Sequence, residues 1–268
     1  MTSRPKGRVL IIAGSDSGGG AGVQGDVKTV TVLGGYAATA ITAITVQNTV
    51  GVSAIHPLAA EVVDAQARAA LDDIGADAIK IGMLGGRPVV EAVAALLDAY
   101  RIPAVIDPVM LAKAGAVLLD LDAVALFRSL MVPRAALLTP NAPEAEILTG
   151  LACTTTDDLR RCGEALLASG ARAVLMKGAH IAGETITDVL MTPSGEASFS
   201  GPRIDSRHTH GTGCALAAAC ATGLAQGMGL EAAVARAWGY VAEAILQAPG
   251  LGAGSGPLDH GWPLRKPN

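Results

Sequence analysis

Short apolar runs alternate along this chain with longer segments whose apolar residues recur at helical spacing. The run R-V-L-I-I-A (8–13) is continuous, rich in β-branched residues and stops at Gly14, which predicts a buried strand. A glycine-rich loop (14–22) follows, then a helical segment that Gly34 and Gly35 end after Leu33. Strands are predicted at 36–46, 50–56 and 78–81, with helices at 59–74 and 89–100 between and after them. The alternation continues with a strand at 104–106 capped by D-P-V-M, a helix at 121–131 and a strand at 136–138 ending in T-P-N-A-P-E. Thr156, Asp157 and Asp158 open a helix that Gly170 stops, and a strand at 173–176 ends in Lys177-Gly178. Segments 188–191 and 197–200 read as a hairpin around P-S-G, and a last helix spans 231–247.

One stretch departs from this pattern. Between Arg207 and Glu231 there is no Asp, Glu, Lys or Arg, and residues after Gly213 are almost all small or apolar. A helix apolar on every side belongs in the interior of a domain. Its first turn, opened by Gly211, Thr212 and Gly213, then leaves backbone N–H groups in need of an acceptor. The N–H donors and the helix dipole both favour an anion there, and the glycines allow it a close approach. Cys214 is the first side chain beyond the glycines. A free thiol titrates near about 8.5 and a helix N-terminus lowers it, so Cys214 reads as a neutral but titratable thiol that could serve as a modest thiolate base. A tight turn before a core helix explains the glycines equally well.

Strand–helix alternation of this kind predicts an α/β fold, three layers of α/β/α around a mostly parallel sheet. No linker or repeat interrupts it, so residues 1–268 are read as one domain. Ligands of such sheets bind beyond the carboxyl ends of the strands. Ser15-Asp16, Met83, Asp107, Asn141 with Glu144, and Lys177 all fall at such ends.

Composition narrows the function. The 268 residues carry a net charge of −4 with scattered Lys and Arg, which argues against a nucleic-acid partner. No apolar run is long enough to span a bilayer or serve as a signal peptide. The four cysteines show no C-x-x-C pairing and no metal-type spacing with the five histidines, as expected of reduced thiols in a cytoplasmic protein. Gly20 to Gly25 fits G-x-G-x-x-G, but no acidic residue lies between Asp26 and Glu61 to hold a ribose, so a dinucleotide is not expected. Asn141 and Glu144 read as a capping pair, and a carboxylate at that strand end could also hold Mg2+. Lys177 ends an apolar strand, where a cation suits phosphate. Gln47 ends a strand, Asp26 lies in the first helix, and turn chemistry or a solvated face accounts for either.

The motifs together resemble a known family. I-A-G-S-D-S-G-G-G-A-G-V-Q-G-D, V-Q-N-T, K-I-G-M-L, D-P-V-M, L-T-P-N-A-P-E-A-E, L-M-K-G-A-H and T-H-G-T-G-C, in this order, are similar to the hydroxymethylpyrimidine/phosphomethylpyrimidine kinases of thiamine biosynthesis, which are ribokinase-like. The resemblance implies ATP-dependent phosphorylation of 4-amino-5-hydroxymethyl-2-methylpyrimidine and of its monophosphate, with Mg2+ and a homodimeric assembly. It implies an anion hole at Gly211, Thr212, Gly213 and Cys214 with Lys177 beside it. Asp26 and Gln47 would bond the aminopyrimidine ring, lined by Gly14, Ala21, Met83 and Val109. Asp107, Asn141, Glu144 and Lys177 would serve the ATP phosphates, with Glu144 and Asp107 toward the metal. Ala179 and the segment Asp205-Ser206-Arg207-His208 depart from the family pattern. A pyridoxal or pyridoxine kinase, or a non-catalytic pyrimidine-binding regulator on the same fold, is the alternative.

Overall fold

The computed structural model describes residues 6–110, 119 and 121–265. Its strands are β1 (Arg8–Asp16), β2 (Tyr36–Gln47), β3 (Val52–Pro57), β4 (Ala78–Ile81), β5 (Ala104–Ile106), β6 (Ala135–Leu138), β7 (Val174–Met176), β8 (Thr185–Thr192) and β9 (Gly195–Pro202). The helices are α1 (Gly22–Val32), α2 (Ala60–Asp73), α3 (Arg87–Tyr100), α4 (Leu121–Leu130), α5 (Ala142–Thr149), α6 (Thr156–Ala168), α7 (Thr212–Ala225) and α8 (Leu230–Leu246).

The nine strands form one sheet in the order β3-β2-β1-β4-β5-β6-β7-β8-β9. Pairing is parallel from β2 through β7, while β3, β8 and β9 add antiparallel strands at the two edges. Alternate side chains of each strand feed opposite faces. Leu10, Ile12, Ile79 and Ile81 pack beneath α2, α3, α4, α5 and α6, whereas Val9, Ile11, Ala13 and Val105 pack beneath α1, α7 and α8. The result is the expected three-layer α/β/α arrangement.

Two departures from the sequence reading matter for the site. β1 does not stop before Gly14 but continues to Asp16 through a register shift between Ala13 and Ser15, with Asp16 opposite Thr45. The strand therefore carries two polar residues over the sheet's carboxyl edge. The edge hairpin β8–β9 is also longer than its apolar segments suggested, because the alternating polar residues face solvent rather than end the strands. The helix predicted to be interior is so: residues from Ala215 to Gly223 of α7 are all buried.

Candidate active site

α7 begins in the middle of the protein, where β1, β4, β5 and β7 end. Gly211 caps it with φ of 89°, a left-handed conformation that an L side chain rarely adopts. A Cβ on Gly211 would also run into the carbonyl oxygen of Gly20 in the loop after β1. The first bond inside the helix is Ala215 N–H to Gly211 O at 2.8 Å, so the N–H groups of Gly213 and Cys214 have no partner within it. Gly213 lies against the charges of the site. A Cβ there would stand 3.2 Å from Lys177 Nζ and 3.5 Å from Asp107 Oδ2.

Lys177 follows β7 and is buried. Its ammonium donates to Asp107 Oδ1 at 2.7 Å and stands 3.8 Å from Glu144 Oε2. Burial alone would drive the ammonium toward neutrality, but Asp107 and Glu144 outweigh it and hold Lys177 charged. Thr139 Oγ1 donates to the same Asp107 oxygen at 2.9 Å. Glu144 closes a capping box on α5: its Oε2 accepts from Asn141 N–H at 2.8 Å while Asn141 Oδ1 accepts from Glu144 N–H at 2.9 Å. Burial raises the Glu144 carboxyl to about 7, with Lys177 pulling it back in part. A cation-rich ligand or a further cation would hold it ionised.

Cys214 corrects an expectation. The helix terminus was expected to favour the thiolate, yet burial dominates and pushes the thiol up to about 11. Lys80 and the Gly22 N–H act in the opposite direction without overcoming it. Cys214 is therefore a neutral thiol at physiological pH, because desolvation, with the carboxylates of Asp26 and Asp107 behind it, outweighs Lys80 and the Gly22 N–H.

The residues expected on the ring side gather at the ends of β1, β2, β4 and β5. Gly14, Ala21, Gln47, Met83 and Val109 line one cleft with Asp107, Asn141, Glu144, Lys177 and residues 211–214, a space of about 1280 Å³. Gly14 makes room for Met83, whose Cε would lie 2.6 Å from a Cβ at that position. Asp26 is placed differently. It is fully buried behind the cleft wall, and its Oδ2 accepts from Lys80 Nζ at 2.7 Å. Its Oδ1 has no hydrogen-bond partner among the described residues. Burial raises the Asp26 carboxyl to about 6, against the pull of Lys80, so the pair is ionised at neutral pH. Lys80 itself lines the cleft.

Lys80 is a functional candidate that motif spacing alone does not single out. It sits in A-I-K-I among apolar strand neighbours, and a cation inside a fully buried strand was the available signal. Asp16, placed by the sequence at a strand end, meets a histidine from far along the chain. Asp16 accepts N–H bonds from Gly18, Gly20 and Ala21, and His210 Nε2 lies 2.8 Å from its Oδ2. Burial disfavours the Asp16 carboxylate, but His210 and the backbone amides outweigh it and lower its pKa. At the other end of the cleft Ile186, Ile204, Val241 and Ile245 form an apolar wall. The departing residues Ala179, Asp205 and Ser206 line that end, where Arg203 donates to the carbonyls of Ala179, Ile181 and Gly183.

Among the described residues no group of three His, Cys, Asp or Glu side chains could hold a metal by itself. Asp107 and Glu144 are nevertheless two buried carboxylates on the cleft. Mg2+ commonly binds through one or two carboxylates, with substrate phosphates and water completing its shell. The donor set thus fits a metal that arrives with a polyphosphate.

The model of the phosphomethylpyrimidine kinase family matches residues 16–259. The chain belongs to that family. It is 48% identical over 256 residues to the hydroxymethylpyrimidine/phosphomethylpyrimidine kinase of Streptomyces coelicolor, covering 96% of this chain and 95% of that one. A crystal structure of phosphomethylpyrimidine kinase from Clostridium difficile superposes with a TM-score of 0.80 at 38% identity, covering 90% of this chain and all of the other. An ADP complex of Bacillus subtilis pyridoxal kinase superposes with a TM-score of 0.89 at 32% identity, covering 95% and 97%. The architecture is ribokinase-like and the family's members are kinases. Among the described residues no helix of this kinase is long and apolar enough to cross a membrane.

Proposed function

We propose that this kinase transfers a phosphoryl group from ATP to 4-amino-5-hydroxymethyl-2-methylpyrimidine and then to its monophosphate, forming the pyrimidine diphosphate used for thiamine. The observation that carries the reading is continuity. The ring-side strand ends and the Asp107–Lys177–Glu144 cluster open into one cleft, and the first turn of α7 stands between them.

In this reading Gly14, Ala21, Gln47, Met83 and Val109 hold the ring, and Asp26 reaches it only by fixing Lys80 at the pocket wall. The apolar wall at Ile186, Ile204, Val241 and Ile245 takes the adenine. Asn141, Glu144 and Lys177 meet the phosphates, and Glu144 with Asp107 would hold Mg2+, which neutralises phosphate charge when bound. Phosphoryl transfer asks mainly for positioning and for charge neutralisation in a loose transition state. Lys177 and the amides of Gly213 and Cys214 supply that at the transferring group. The alcohol then needs little from a strong base, and the monophosphate, whose second pKa is about 6, needs none. A neutral Cys214 does not repel either acceptor. The reading also holds that residues 1–268 form one kinase domain that works as a cytoplasmic homodimer, and the four free cysteines support a reducing setting.

Pyridoxal kinase activity is the second reading, favoured by the superposition on pyridoxal kinases. The 48% identity to a pyrimidine kinase against 32% to the pyridoxal enzyme ranks it second. Incubation with Mg-ATP and each of the alcohol, the monophosphate and pyridoxal, with products identified by mass, tests both. Phosphorylation of pyridoxal with neither pyrimidine consumed reverses the ranking. A regulator without catalysis gives no product from any acceptor.

A further inference from the structure

Gln47 stands where two proton-sharing chains meet. Its Nε2 is 3.4 Å from His210 Nε2, and its Oε1 is 3.1 Å from Thr45 Oγ1. The proton balance at both contacts follows from their other partners. Asp16 is ionised, since its pKa lies below the ordinary carboxylate value, and an ionised carboxylate only accepts. His210 Nε2, 2.8 Å from Asp16 Oδ2, must therefore carry the proton. An amide nitrogen facing that N–H would set donor against donor. Thr45 has one hydroxyl proton for two acceptors, the carbonyl of Ser15 at 2.8 Å and Gln47 Oε1 at 3.1 Å; given to the nearer, it leaves the hydroxyl oxygen to meet Gln47 as an acceptor. An amide oxygen there would set acceptor against acceptor. Turning the amide over resolves both contacts, with Oε1 accepting from His210 Nε2–H and the amide nitrogen donating to Thr45 Oγ1.

The partners that impose this orientation are themselves fixed. Asp16 is held by three backbone amides, Gly18 on one oxygen and Gly20 and Ala21 on the other. His210 N–H donates to Gly256 O at 3.1 Å. Its ring packs so closely on Gly20 that a Cβ there would lie 2.7 Å from Cδ2. The side chain of His210 is only 15% exposed. Among the described residues the Gln47 side-chain amide is met only by Thr45 and His210.

We propose that His210 is a positioning residue that determines ring specificity, because its Nε2–H, shared by Asp16 and Gln47, sets which end of the Gln47 amide meets the substrate. The proposal rests on the reading of Gln47 as a ring contact. An aminopyrimidine edge offers an exocyclic N–H donor beside a ring-nitrogen acceptor. An amide in fixed order pairs with that edge through its remaining oxygen lone pair and its remaining N–H. A ring lacking this adjacent donor and acceptor leaves one of the two amide groups unpaired, which is how a polar site rejects an analogue.

Steady-state kinetics of His210→Leu, His210→Gln, Gln47→Ala and the Leu/Ala double variant test this. His210→Leu is expected to raise KM for the pyrimidine alcohol roughly tenfold, with kcat and KM for ATP within about twofold of wild type. His210→Gln keeps an N–H donor at similar reach and should restore KM to within about twofold. The double variant should be no worse than Gln47→Ala alone, since both act on one interaction. Additive losses, or failure of His210→Gln to rescue, overturn the role of His210 while leaving Gln47 a ring contact. A wild-type KM in Gln47→Ala instead removes the ring-contact reading and the proposal with it. Should His210→Leu not fold, His210→Ser, which is too short to reach Gln47, carries the same expectation and the same refutation.

Discussion

Replacing Cys214 separates a chemical role for its thiol from a spatial one. With the thiol at about 11, removing its proton at pH 7 costs about 5 kcal/mol, at roughly 1.36 kcal/mol for each pH unit. A well-placed general base contributes about 10²–10⁴ in rate, or roughly 3–5 kcal/mol. The two nearly cancel, so thiolate catalysis gains this enzyme little. Cys214→Ala is therefore expected to slow the alcohol and the monophosphate reactions by similar factors, each under about tenfold. The wild-type profile of kcat should show no thiol inflection between about pH 7 and pH 9. Cys214→Asp brings a permanent anion into the same place beside Lys80. Two unit charges about 4 Å apart repel by about 4 kcal/mol at an effective dielectric of 20, so the anionic monophosphate should suffer much more than the alcohol. Initial rates for both acceptors, taken across pH under saturating Mg-ATP, give all three comparisons. A loss above about a hundredfold confined to the alcohol in Cys214→Ala, joined to a wild-type inflection in that range, would refute the reasoning and make the thiolate a working base.

Lys177→Ala should lower kcat at least about a hundredfold with either acceptor, because in the proposed function both transfers use the same cation; rates within tenfold of wild type with both would return Lys177 to a structural role. Asp26→Ala leaves Lys80 as an unpaired buried cation and should lower unfolding free energy by about 3–5 kcal/mol in urea titrations; a change under about 1 kcal/mol would show the pair to be unimportant. Asp188, buried beside the Gly178 N–H, has its carboxyl raised from 3.8 to about 6 by burial. Its contribution to stability is present below about pH 4 and is lost as pH rises through 6. Relative to wild type, Asp188→Asn should therefore gain up to about 3 kcal/mol between pH 4 and pH 7, and a pH-independent difference would contradict the shift.

The strand and helix order was legible because the strands of a sheet covered on both faces are continuous apolar runs, as in V-L-I-I and A-V-I. The interior helix was legible from its lack of charge, the first capping box from Asn141 with Glu144, and the start of α6 from Thr156, Asp157 and Asp158, while its capping residue Thr155 was not. What sequence patterning missed depends on contacts across the fold. Asp26 looks like any surface acid in its helix until the Lys80 ammonium, 54 residues away, is seen to hold it inside. The link from Asp16 to His210 joins positions 194 apart and has no local signature. The upward shift of the Cys214 thiol is not legible because its helix position is written in the sequence and its desolvation is not.

α7 has no exposed face along Ala215–Gly223, and most of its side chains there are no larger than a methyl group. Small residues let α1, α8 and strands β1, β4 and β5 pack closely on it. The turn at Gly211 is thus the end of a rod clamped along its length rather than part of a hinged loop. If that turn holds the transferring phosphoryl group as proposed, its accuracy is inherited from core packing rather than from a loop of its own. Heat should then extinguish catalysis and compactness in a single step.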